Sequence, residues 1–368
     1  MASLNDLTVV IPVFDRPKYL ERQIQYWSSH GSSILIMDGS VTRASQNILN
    51  QLTPNMKYVH SNDGFNARLV ESCKYIDTKY TVLLHDDEIL AVDGLLSCIH
   101  ELNENVQLIA CQGRSLFFFY RDGKIIAHET YQKITDLSEN YGDSLLRLKS
   151  SFRNGDPSNA PYVLYTVMRS DVWKRLIVLS YEYQYASGFV YELAMQIAGT
   201  YLGPIKVIDS LVWFRSGENP KQSSESLSRK VEMDQWITDN QFANENLRFI
   251  KSITDDLVLD GKHSRNEIEA VVLEVLCDFR DYFEGKSKRI ISHWHNFLYF
   301  VNSLTPRILR RFLKRNMTPL MGKVLDYPGI PLMGALAEME AKDVVFNREE
   351  MQNLEHFLLD FHKKLEWN

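Results

Sequence analysis

Nowhere in its 368 residues does the sequence hold a run of about 18 apolar residues, so no helix in it is expected to span a membrane. Cysteine is scarce too. Cys73, Cys98, Cys111 and Cys277 are widely spaced and form no CxxC pair, which argues against a disulfide framework or a zinc site and suits a reducing compartment. There is no excess of positive charge. The formal net charge is −6, and nothing in the bulk composition calls for nucleic acid as a partner. The opening MASLNDLTVVIPVF lacks the basic start of a signal peptide, and its short apolar run reads as a buried strand. The chain is expected in the cytoplasm. A glycine-rich phosphate loop is also missing, since the stretch VFDRPKYL after that first run contains no glycine.

What is present begins with an alternation of short apolar runs and helical patterns. Residues 7–13 (LTVVIPV), 33–37, 57–60 and 80–84 (YTVLL) read as strands, and 18–30 and 65–76 as the helices between them. Such βαβ units build a parallel sheet, whose ligand crevice lies outside the carboxyl ends of its strands. Asp15, Asp38, Asp86 and Asp87 all fall at those ends. Further on, 107–126 reads as a hairpin turning at 121–124, 162–168 as a strand, 170–179 and 191–198 as helices, and 205–208 and 211–214 as strands. A segment rich in Ser, Gly and Pro then marks a boundary, and from 229 onward the pattern is helical with no strand. The expected division is a domain over 1–216, a linker or flexible loop over 217–228 and a helical region over 229–368.

The chemistry concentrates in HDDE, residues 85–88, directly after an apolar strand. Carboxylates this close repel and need a cation or a proton between them. Hard divalent metals such as Mg²⁺ or Mn²⁺ favour carboxylate oxygen and commonly take one or two such ligands together with phosphate oxygens. The plainer alternative is a solvated acidic loop that caps the next helix.

LTVVIPVFDRPKYLERQI, ILIMDGS, GFNARLVESCKYIDTKYTVLLHDDE and YELAMQIAGTYLGPIKVIDSLVWFR resemble successive landmarks of the family 2 glycosyltransferases, over residues 7–216. The resemblance implies the GT-A fold: an α/β domain with a mostly parallel central sheet and flanking helices, here with an all-helical C-terminal extension. It places Pro12, Val13 and Phe14 where the nucleoside is held, Asp38 at the base edge, Arg68 toward the nucleotide, Asp86 near the ribose and Asp87 as the metal ligand. Bottom-up alternatives stand beside these: Asp38 as a turn residue, Arg68 as a surface charge, Phe14 as core and His85 as a plain strand-end side chain.

The resemblance also implies a nucleotide-sugar donor, UDP-linked, a saccharide or lipid-linked saccharide acceptor, Mn²⁺ or Mg²⁺ as cofactor, inversion, and a setting in cell-surface polysaccharide synthesis. Its catalytic base is the Asp of a Glu-Asp pair at a helix start, and this sequence has no such pair there. Glu192 is the nearest carboxylate, a base or else a first-turn Glu favoured by the helix dipole; Glu182 is a weaker substitute. Arg215 and Lys221 belong to a loop that folds over the donor in this family, where a frequent histidine is replaced by SGEN. Of the aromatics at 162, 165, 173, 181, 183, 185 and 191, at most two are expected at an acceptor site and the rest in the core. A helix over 305–315 sets Arg307, Arg310, Arg311, Lys314 and Arg315 opposite an apolar face, suiting either an anionic membrane surface or packing on the protein. The last helix, 348–365, is expected to pack on the domain or on a second subunit. Two other functions remain open: a nucleotidyltransferase that makes nucleotide-sugars, and a scaffold that kept the fold without catalysis.

Overall fold

The computed structural model describes residues 2–132, 134, 136–137, 142–152, 161–218, 231–282 and 329–366. All seven residues of β1 (Leu7–Val13) are buried, as an unalternating apolar strand covered on both faces requires. Helix α1 (Pro17–Trp27) starts on a proline, whose missing N–H is no loss at a first helical position. There follow β2 (Ser33–Asp38), the single turn α2 (Gln46–Leu49), β3 (Met56–His60), α3 (Phe65–Ser72) and β4 (Tyr80–Leu83). Strand β1 lies between β2 and β4, and β2 pairs with β3, all in parallel. The register sets Val13 beside Asp38 and Asp38 beside His60, whereas β4 stops at Leu83, level with Val10. That step opens a crevice where the sequence concentrates its carboxylates.

The parallel pattern ends there. After β5 (Ile89–Leu90) and α4 (Val92–Glu104), strands β6 (Ala110–Arg121) and β7 (Lys124–Thr130) form the expected hairpin, with Asp122 and Gly123 both left-handed at its tip. Helix α5 (Ser144–Ser151), strand β8 (Val167–Arg169), helices α6 (Ser170–Tyr181) and α7 (Phe189–Leu202), and strand β9 (Ile205–Ser216) complete the domain. Strand β8 runs antiparallel to both β4 and β6, and β9 runs parallel to β6 and antiparallel to β5. The sheet is therefore mixed. Two details differ from the pattern in the sequence. The strand expected over 162–168 survives only as β8, because Gln112 and Gln196 accept the backbone N–H groups of Tyr162 and Val163 and the chain turns there instead. The two short strands expected after 205 are one, with register shifts against β6 around Arg114.

The C-terminal region comprises α8 (Met233–Thr238), α9 (Ala243–Leu257), α10 over 265–282, α11 (Leu332–Glu340) and α12 (Arg348–Glu366). It is not wholly helical: β10 (Ile330–Pro331) adds a two-residue strand against β7. Among the described residues these helices have no core of their own. Trp236, Phe249, Val272 and Phe279 share one buried cluster with Trp173 and Met195, while Leu336, Met351, Leu354 and Leu358 share another with Phe118 and Phe214. The last helix thus packs on its own domain. The basic helix expected over 305–315, residues 219–228 of the expected linker and Lys221 within it lie outside the described residues. No helix among the described residues is long and apolar enough to cross a membrane.

Helix α12 is tied down at both ends. Near its start, Glu350 accepts the N–H groups of Val92 and Asp93 at 2.5 and 3.3 Å and caps α4. Near its end, His362 donates to Glu218, and Glu218 accepts from Arg22 at 3.0 Å. The Arg22 guanidinium is buried between the rings of Tyr19 and Phe361, 4.6 and 4.7 Å from their centres. Hydrogen bonds from His362 and the charge of Arg22 outweigh burial and hold the Glu218 carboxyl below its ordinary value of 4.5. A carboxyl with a lowered folded value stabilises the protein above about pH 4.5 and loses that contribution as the pH falls below it. Glu218→Gln should therefore unfold at a lower temperature than wild type at pH 7, with a loss approaching the ~3–5 kcal/mol of a broken buried pair. The gap should narrow as the pH drops below 4.5. A gap that stays constant in thermal melts from pH 7 to pH 3.5 would show that the charge on Glu218 does not hold the helix.

Candidate functional site

Asp38, the last residue of β2, is 1% exposed. One of its carboxylate oxygens accepts the Ser40 N–H at 2.9 Å and the Ser40 hydroxyl, and the other accepts the Tyr58 hydroxyl at 2.5 Å. Burial and this bond push the Tyr58 phenol up to about 12. Beyond β1, Asp15 is left-handed (φ 51), a conformation its short polar side chain tolerates. Its N–H donates to the Ser40 hydroxyl at 2.8 Å, and its carboxylate accepts the Val41 N–H at 3.1 Å. A cleft of about 340 Å³ opens over these strand ends, lined by Val13, Asp15, Asp38, Ser40, Arg43 and Ile48 among others. Pro12 and Val13 are buried in β1, and Phe14 is half-buried just past it.

Arg68, which the resemblance directs toward the nucleotide, is 2% exposed. Its guanidinium donates to the carbonyls of Val13 and Met37 at 2.9 and 2.7 Å and to that of Asp63 at 3.1 Å, clamping β1 to β2. Gly39 is needed for this, because a Cβ there would stand 2.1 Å from the Arg68 Cζ.

The turn after β4 carries the second group. Asp86 accepts from Arg16 at 2.9 Å, and the same guanidinium stands 3.9 Å from Asp87. Burial raises the Asp86 carboxyl to about 6, with Arg16 opposing and Asp87 adding. Asp87 is raised as well, by burial and then by Glu88. Gln23 holds the turn from α1: its amide donates to the carbonyls of Asp86 and Glu88 at 2.9 and 2.7 Å, and its own oxygen accepts from the Trp27 indole at 3.1 Å. Glu88 accepts from the Trp213 indole at 2.9 Å. His85 sits edge-on to Tyr165, with Nδ1 3.8 Å from Glu88. Burial would lower its value, but Glu88, Asp87 and Asp86 outweigh burial and bring it to about 9.

Glu192 approaches from the first turn of α7. It borders a cavity of about 520 Å³ whose walls include Tyr162, Phe189, Leu193, Gln196, Met233 and Phe279. Burial raises its carboxyl; His85 and Arg215 oppose this and Glu88 adds to it, so the charges that act on Glu192 are those of the HDDE turn and the end of β9. Arg215 donates to the Tyr131 hydroxyl. Glu182 caps the end of α6 and is exposed. Of the seven aromatics, Trp173, Tyr181, Tyr185 and Tyr191 are core, Tyr183 is exposed, and Tyr162 and Tyr165 stand beside the site.

Sequence reasoning missed Arg16, Gln23, Trp213 and Gln196. Only Arg16 had a signal, as a cation next to a strand-end Asp; the others read as ordinary members of helix or strand patterns. Among the described residues no three His, Cys, Asp or Glu side chains gather as a metal site, and the oxygen donors at the turn are the paired Asp86 and Asp87.

Residues 8–152 match the family model described as Glycosyl transferase family 2. Among curated proteins none matches the chain. Of solved structures, TarS 1-349 of S. aureus is similar at 14% identity, over 77% of this chain and 91% of that one, with a TM-score of 0.43. Glucosyl-3-phosphoglycerate synthase from Mycobacterium tuberculosis, in complex with Mn²⁺, UDP and glucosyl-3-phosphoglycerate, is similar at 13% identity, over 63% of this chain and 78% of that one, with a TM-score of 0.37. The strand-end carboxylates thus lie on the parallel half of a mixed α/β sheet, within the segment 8–152 that is similar to the glycosyltransferases of family 2.

Proposed function

We propose that the protein transfers a sugar from a UDP-linked donor to a hydroxyl of a saccharide or lipid-linked saccharide, with inversion and with Mn²⁺ or Mg²⁺ as cofactor, in cell-surface polysaccharide synthesis. One observation carries this reading. A cleft over β1 and β2 and a fixed pair of carboxylates after β4 share one sheet edge, and Glu192 feels the charges of that same edge. The nucleoside lies in the cleft beside Val13 and Phe14. Asp38 meets the base edge, its carboxylate oriented by Ser40 and Tyr58 and still holding about one lone pair to accept an N–H. Arg68 serves the nucleotide indirectly, by fixing the strand ends that form the cleft.

The turn suits a hard cation. Its donors are oxygens, and burial leaves both Asp86 and Asp87 short of stabilisation in their charged forms. The family resemblance implies Asp87 as the ligand and Asp86 nearer the ribose, and Arg16, bonded to Asp86 and 3.9 Å from Asp87, supports this by engaging Asp87 less. When bound, the metal offsets charge on the leaving diphosphate. The acceptor oxygen forms the new bond to the anomeric carbon while the bond from that carbon to the diphosphate oxygen breaks, its electron pair leaving with the nucleotide. Glu192 takes the hydroxyl proton. Its raised value moves it toward the operating pH, where a general base works best.

A thermal-shift panel of nucleotide-sugars tests the reading. UDP-sugars with Mn²⁺ should raise the unfolding temperature, because a ligand that binds only the folded state stabilises it by mass action. Asp87→Ala should lose the metal-dependent part of that shift while keeping the melting temperature of the unliganded protein. Wild-type affinity of this variant for UDP and Mn²⁺ in calorimetry would remove Asp87 as the ligand, and no shift with any nucleotide-sugar would remove the transferase reading itself.

Glu192→Gln keeps size and removes the basic oxygen. Donor binding should persist and the transfer rate should fall by about 10²–10⁴, the usual contribution of a positioned base. Near-normal turnover would exclude Glu192 as the base, and loss of donor binding along with turnover would make its role structural.

A further inference from the structure

The cavity beside Glu192 has a lining unlike that of the nucleotide cleft. Phe152, Phe189, Leu193, Met233 and Phe279 make it largely apolar, and about 520 Å³ is within the ~300–1,000 Å³ usual for small-molecule sites. Phe189, on its wall, is 51% exposed, unusual for a large apolar side chain on a helix that is otherwise mostly core. Glu232 and Asp234 also border the cavity, and two polar groups share the helix of Phe189. Glu192 and Gln196 are four residues apart on α7, hence one above the other on the same helix face. The Gln196 oxygen accepts the Val163 N–H, but its Nε2 is buried and donates to nothing among the described residues. A buried donor left unbonded is uncommon and costs stability, so a native site that keeps one calls for an explanation.

We propose that this cavity binds the acceptor, that the acceptor is a sugar carrying an apolar aglycone, and that Gln196 Nε2 donates to a sugar oxygen while Glu192 accepts from a hydroxyl. This rests on the transferase reading above, since it names the acceptor of that reaction. The pairing suits a polyol: one donor and one acceptor a helical turn apart match the two faces of a hydroxylated ring. The apolar walls suit a hydrocarbon group attached to that ring. A free monosaccharide would leave the exposed ring of Phe189 uncovered, whereas an alkyl group would cover it.

The test uses the full-length chain without donor or metal, titrated by calorimetry with n-octyl and methyl glycosides of glucose, galactose and N-acetylglucosamine below micellar concentrations. UDP with Mn²⁺ is titrated in parallel. At least one octyl glycoside should bind about tenfold or more tighter than its methyl counterpart, as burial of several methylenes implies. Gln196→Glu keeps the oxygen that holds Val163 and removes the donor. It should weaken octyl glycoside binding about tenfold and leave UDP binding unchanged. Phe189→Ala, at an exposed position, should also weaken octyl binding without unfolding the protein. Equal affinity for octyl and methyl glycosides, no binding of either, or wild-type affinity in Gln196→Glu would each overturn the proposal. UDP binding separates the two readings: UDP bound with no preference for octyl glycosides refutes the acceptor assignment alone, and octyl glycosides bound without UDP refute the donor site.

Discussion

The constraint on which the site depends is the burial of acid at the end of β4. His85, Asp86, Asp87 and Glu88 follow one another where the sheet stops, and Asp86 and Glu88 are 4% and 5% exposed. Buried carboxylates are tolerated only when paired or hydrogen-bonded, and each here has its own device. Arg16 faces Asp86, the Trp213 indole bonds Glu88, and the His85 ring stands 3.8 Å from Glu88, its value raised by the three carboxylates. What keeps them in register is a neutral group. Gln23 ties the carbonyls of Asp86 and Glu88 to α1 while Trp27 fixes the Gln23 oxygen. A short turn crowded with like charges is thereby tied to α1 at two points.

The same economy operates at the neighbouring strand ends. Arg68 clamps the last carbonyls of β1 and β2 beneath Gly39, and Ser40 joins Asp15 to Asp38. The Arg68 bonds go to backbone atoms of adjacent strands, so the sheet's termination forms one side of the cleft, and residues 40–45 after β2 form another. The forked donors of an arginine serve here to collect carbonyls.

Much of this was legible in the sequence because it arises from local pattern. The unbroken apolar runs at 7–13 and 80–84, the proline that opens α1 and the Asp-Gly in the 121–124 turn each act within a few residues, so the parallel half of the sheet, the hairpin and the positions of Asp38, Asp86 and Asp87 could be read directly. The features that stayed hidden are set by contacts distant in the chain. Nothing near Tyr162 says that Gln112 and Gln196 will take its neighbouring N–H groups and end a strand early. Nothing near Gln23 says that its partners lie more than 60 residues away. The mixed character of the sheet is a similar case, since β8 is only three residues long and its direction is decided by the strands it fills between.

The C-terminal region is mostly helical, as its sequence pattern implies, and what that pattern does not show is where the helices pack. Folded, it supplies walls: Met233 and Phe279 to the cavity beside Glu192, and His362 to the carboxylate just past β9. The stretch SGEN has no histidine of its own, and without α12 Glu218 would be a buried acid beside Arg22 and the Tyr19 hydroxyl. Helix α12 brings His362, stacked on Tyr120 at 4.4 Å, to the other carboxylate oxygen. Arg22, Glu218 and His362 thus join α1, the end of β9 and α12 through one buried ion pair. Since α1 also supplies Gln23, one residue along, the helix that shapes the HDDE turn is the helix that α12 holds in place. The C-terminal helices are therefore better understood as the outer frame of the site than as an appendage to it.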